Sequence, residues 1–121
     1  MTEPHSLAVS AELLRRHHHH VRTLVDQLGC RLEQAMPDRV DFERSRLRSK
    51  TTLAVRCGNE TFRIRMHGRH TEVSVDHIVR DVCLRSEHVG FDDWFDRLVV
   101  ALEREAERST ELRLAIEDAL S

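Results

Sequence analysis

An α+β fold in two layers is predicted by two hydrophobic periods and by the points where one gives way to the other. Apolar residues recur at helical spacing from Ser6 to Ala35 and again after Gly90, whereas between Lys50 and Asp76 they alternate with polar ones. Spacings of three and four mark amphipathic helices, and strict alternation marks half-buried strands. The order is therefore a long N-terminal helix, an antiparallel β-meander of three to five strands, and one or two C-terminal helices. A chain of 121 residues forms one domain around one core, here 1–121, with 1–5 expected to be a flexible N-terminus.

The centre of the pattern is Lys50 to His67, KTTLAVRCGNETFRIRMH. Leu53, Val55 and Cys57 alternate with Ala54 and Arg56 before Gly58-Asn59, and Phe62, Ile64 and Met66 alternate with Arg63 and Arg65 after it. A two-residue turn of this type closes a tight hairpin. It pairs Cys57 with Glu60, Val55 with Phe62 and Leu53 with Ile64 on one face, and leaves Arg56, Arg63 and Arg65 on the other.

The N-terminal stripe runs through Leu7, Ala11, Leu14, Val21, Val25, Leu28, Leu32 and Ala35, with His18 at the missing position. It reads as a single helix of roughly 30 residues, about 45 Å long at the usual rise. Gly29 weakens its last turns by about 1 kcal/mol relative to alanine, and Pro37 ends it. Val40 and Phe42 suggest a short edge strand between Arg39 and Leu47, and Val73 and Val75 a core strand after the turn at His67 to His70. Arg80 to Ser86 fits either a helix or a strand, and its β-branched content favours the strand. Asp92, Asp93 and Asp96 open a helix whose buried face is Phe91, Trp94, Phe95, Leu98, Val99 and Leu102. Ser109 or Thr110 caps a final helix carrying Leu112, Ile116, Ala119 and Leu120.

No apolar run approaches the ~18 residues of a membrane span, and MTEPHSLAVS has neither the basic start nor the apolar core of a signal peptide. A cytoplasmic location without membrane contact is expected. Cys30, Cys57 and Cys83 are far apart and lack metal-type spacing, so free thiols are expected. Net charge is −2 but unevenly spread: residues 1–38 carry −1, residues 39–69 carry +6 and residues 70–121 carry −7. Such asymmetry bears on association more than on chemistry.

Four consecutive histidines, His17 to His20, raise the question of a metal site. Successive helical residues point about 100° apart, so only His17 and His20 could converge on one ion. No metal or cofactor is expected, and His18 suits a place in a helix–helix seam. No nucleophile–base pair, paired carboxylate or glycine-rich phosphate loop is present, and a non-enzymatic protein is expected. Arg56, Arg63 and Arg65 form a basic sheet face that could hold duplex phosphates, without the aromatics that stack bases.

Two resemblances add to this reading. The segment VCLRSEHVGFDDWFDRLVVALEREAERSTELRLAIEDAL resembles the C-terminal part of small uncharacterised α+β proteins of GC-rich bacteria. It shares the strand with Leu84-Arg85-Ser86-Glu87, the acidic cap, the single Trp94, and the helix with Ala106 and Ser109; no activity is implied. The order of long helix, meander and helix resembles YbaB-type nucleoid-associated proteins, which implies a dimer and DNA binding.

A 45 Å rod exceeds the roughly 28 Å diameter of a domain this size, so part of the stripe would overhang and mark an interface. The expectation is a homodimer through Leu14, His18, Val21 and Val25. It would act as a protein-interaction adaptor or chaperone-like module for an unknown protein partner. Weak, sequence-independent nucleic-acid binding and histidine-dependent metal binding are the alternatives.

Overall fold

A computed structural model describes residues 7–17, 21–45, 47 and 49–121, apart from the side chains of residues 8, 15 and 17. Two helices, α1 (Leu7–His17) and α2 (Val21–Ala35), precede five strands: β1 (Val40–Ser45), β2 (Lys50–Cys57), β3 (Glu60–His67), β4 (His70–Val79) and β5 (Val82–His88). Helices α3 (Phe91–Arg108) and α4 (Thr110–Leu120) complete the chain. The strands form one antiparallel sheet in the order β1-β2-β3-β4-β5.

The central hairpin has the expected register, with Val55 opposite Phe62, Leu53 opposite Ile64 and Cys57 opposite Glu60. Gly58 takes φ 60°, the left-handed geometry that lets a two-residue turn follow the strand twist. The ambiguous segment is a strand: β5 pairs with β4 through a turn at Arg80 and Asp81, whose φ values are 51° and 66°. A register shift between His77 and Ile78 marks a bulge in that pair.

The single long N-terminal helix is not found. α1 ends at His17 and α2 begins at Val21, and each is short. The stripe is continuous in sequence but holds no apolar residue between Leu14 and Val21, and its halves share α4 while differing in their other partners. Leu7, Ala11 and Leu14 are buried where α1 meets α3 and α4, whereas Leu24, Val25, Leu28 and Leu32 are buried where α2 meets β1, β2 and α4. The backbone N–H of Leu7 donates to Glu103 Oε1 at 2.7 Å, tying the start of α1 to α3.

This arrangement removes the overhang on which the interface rested. Leu14 and Val25 belong to the monomer's own core, and only Val21 is partly exposed. His18 and His20, the side chain of His17 and the N-terminal stretch 1–5 lie outside the described residues.

All four helices gather on one side of the sheet. Phe62 of β3 meets Trp94 of α3 edge-to-face at 6.3 Å, and Phe91 stacks on Trp94 at 5.9 Å. Trp94, Phe95, Leu98, Val99 and Leu102 are buried as the stripe requires, while Phe91 is half-buried. The stripe continues into a charge: Glu105 is 5% exposed, and Arg39 Nη1 donates to its Oε2 at 2.5 Å. The Ser109 hydroxyl caps α4 by accepting from the N–H of Leu112 at 3.2 Å. Among the described residues no helix is long and apolar enough to cross a membrane.

Candidate functional site

The side of the sheet turned away from the helices carries the side chains that alternate with the core. From β1 come Asp41 and Glu43, from β2 Lys50, Thr52, Ala54 and Arg56, from β3 Thr61, Arg63 and Arg65, and from β4 Glu72, Ser74 and Asp76. The register sets these into rows. Asp41, Ala54 and Arg63 stand abreast, as do Glu43, Thr52 and Arg65.

Each row is an acid, a small residue and an arginine, so β2 becomes the floor of a groove. One wall is acidic and the other basic, and they lie roughly 10 Å apart, twice the inter-strand spacing. The concavity there encloses about 560 Å³ and is lined by Asp41, Glu43, Thr52, Ala54, Arg63 and Arg65, among others. Arg56 closes one end: its Nη1 donates to Asp41 Oδ2 at 3.2 Å and its Nη2 to the Asp38 carbonyl.

The three arginines do share one face, but that face is not electropositive. Lys50, Arg56, Arg63 and Arg65 are matched by Asp41, Glu43, Glu72 and Asp76. Arg63 Nε donates to Asp76 Oδ2 at 3.2 Å, and the Ser86 hydroxyl donates to Asp76 Oδ1 at 2.7 Å. Arg65 makes no ion pair among the described residues and faces Glu72 across the β3–β4 pair. The acids on β1 were visible in the sequence, because residues that alternate with Val40 and Phe42 must face away from the core. Those on β4 follow in the same way from Val73 and Val75.

Two other polar clusters stand out among the described residues. Cys57 is buried near Glu105, Arg39 and Glu60, and its thiol is pushed up to about 12, first by burial and then by the Glu105 carboxylate. A thiol held protonated is a poor nucleophile. On the helix side of β5, Glu87 accepts from Arg97 at 3.1 Å and from Arg85 at 2.8 Å, and its Oε1 lies 3.2 Å from His77 Nε2. This cluster ties β4 and β5 to α3. Among the described residues no three histidine, cysteine or acidic side chains converge as a metal site.

No family model matches the chain, and neither does any curated protein or solved structure compared with it.

Proposed function

We propose that this chain is a non-enzymatic protein-binding module, an adaptor or chaperone-like protein, whose working surface is the groove along β2. The observation that carries the reading is the opposition of walls across a floor of small side chains, Asp41 and Glu43 against Arg63 and Arg65. The ligand that fits is a protein segment with basic side chains along one flank and acidic ones along the other. Electrostatic matching of this kind selects partner and orientation. Duplex DNA fits worse, because a polyanion laid on the arginines would also lie against Asp41, Glu43, Glu72 and Asp76.

A photo-crosslinking side chain placed at Ala54 tests the reading in native lysate. It should trap a discrete protein adduct that the same probe at Arg104, exposed on α3, does not. Filling the floor with Ala54→Trp should abolish binding of the trapped partner while leaving the thermal melt in place. Retention of duplex DNA at physiological salt, with no adduct at Ala54, would replace the protein partner by nucleic acid.

A further inference from the structure

Among the described residues the sheet ends in a strand, β5, that is paired on one edge alone. β5 pairs only with β4 among these residues, and its outer edge is uncovered from Val82 to Ser86. Val82 is 57% exposed and Leu84 66% exposed, a high value for apolar side chains on a strand. A free edge of this length is a template for a further strand.

The geometry points to a second copy of this chain as that strand, with β5 pairing antiparallel to the partner's β5 about a twofold axis through Ser86. The charge pattern of Arg85-Ser86-Glu87 carries the inference. In a continuous sheet, directly opposed residues must face the same side, so the axis has to pass through a residue and not between two. An axis at Arg85 would set arginine against arginine, and one at Glu87 would set glutamate against glutamate. At Ser86, Arg85 stands opposite the partner's Glu87, and the symmetry repeats the pair. Opposite charges directly across strands stabilise pairing, and like charges oppose it.

Arg85 and Glu87 are placed for this. Arg85 pairs with His77 and Glu87 with Val75, so both point to the helix side of β5. Within one chain Arg85 already bonds Glu87, and Glu87 is also held by Arg97, so Arg85 can turn to the partner's Glu87 without leaving its own Glu87 bare. The result is a ten-stranded sheet with every helix on one side and two β2 grooves open on the other. This inference is independent of what the grooves bind.

Light scattering across micromolar to submillimolar concentrations tests it. The expected mass is twice 14.1 kDa. Arg85→Glu and Glu87→Arg should each give monomer, and the double exchange should restore the dimer. Monomer for the unaltered chain at the highest concentration, or a dimer indifferent to both single exchanges, overturns the proposal. Since Glu87→Arg also disturbs Arg97, a second variant avoids that site. Ser86→Cys in a Cys30→Ser, Cys83→Ser background brings two thiols across the axis, where opposed Cα atoms are about 5 Å apart, within disulfide reach. Mild oxidation should link it into a covalent dimer, and failure to link in a well-folded sample counts against the register.

Discussion

Gly29 of α2 stands so close to Phe42 of β1 that a Cβ on it would lie 2.4 Å from Cδ1 of the ring. The two residues fix how near the helix comes to the edge of the sheet. Alanine in place of glycine raises helix propensity by about 1 kcal/mol, yet overpacking a tight contact costs about 1–3 kcal/mol. Gly29→Ala should therefore lower stability in urea unfolding. In a Phe42→Ala background the sign should reverse, because the ring that the methyl meets is gone.

The Arg39–Glu105 pair joins the entry to β1 with α3 at a place where one partner is buried. Removing one member of such a pair leaves an uncompensated charge and costs several kcal/mol, here about 3 because Arg39 is partly exposed. Arg39→Met should reach that loss, while Arg39→Met combined with Glu105→Leu should recover most of it. Equal losses in the single and double variants would show that the packing of the arginine stem, and not the charge, is what holds this corner.

Cys57 should resist modification in the native state. Its thiol is buried and pushed up to about 12, whereas Cys30 and Cys83 are exposed. Iodoacetamide at pH 8 should label those two and reach Cys57 only in denaturant, as read by mass spectrometry. Labelling of all three at one rate would mean that the tip of the central hairpin opens readily.

Glu87 sets an acid-side limit on stability. Its carboxyl stands below the ordinary 4.5, first through the hydrogen bond from Arg97 and then through that with His77. A depressed folded value means that the contribution is complete above 4.5 and is lost as pH falls through the lower value. Urea midpoints of the unaltered chain and of Glu87→Gln should differ at pH 6 and converge in strong acid. A constant difference across that range would assign the effect to packing instead.

Much of the sheet was legible because alternation fixes faces and a two-residue turn fixes register. Phe62 opposite Val55 in the core follows from those rules, whereas the strand at β5 rests on β-branched content. The helix layer was less legible. A stripe at spacings of three and four shows which side of a helix is apolar, but not that α1 meets α3 while α2 meets the sheet. Nor does it show that a glycine late in α2 answers to a phenylalanine in the next strand. The basic face was overestimated for another reason. Arg56, Arg63 and Arg65 all lie in the hairpin, while the acids that face them sit on β1 and β4, neighbours only once the sheet is assembled.

Strand order in the sheet equals strand order in the chain, and this bears on how the protein is made. Each strand can add to the one before it as it leaves the ribosome, closing only a short loop, which favours rapid pairing. The helical cover does not keep pace. α2 emerges early enough to shield β1 and β2, but Phe62, Ile64, Val73 and Val75 have no lid until α3 is synthesised. α4, translated after α3, then docks on α2, with Arg31 of α2 donating to the Ser121 carbonyl at 2.5 Å. At roughly 5–20 residues per second the nascent sheet stays greasy on one side for on the order of seconds, an interval in which a holdase has something to grip.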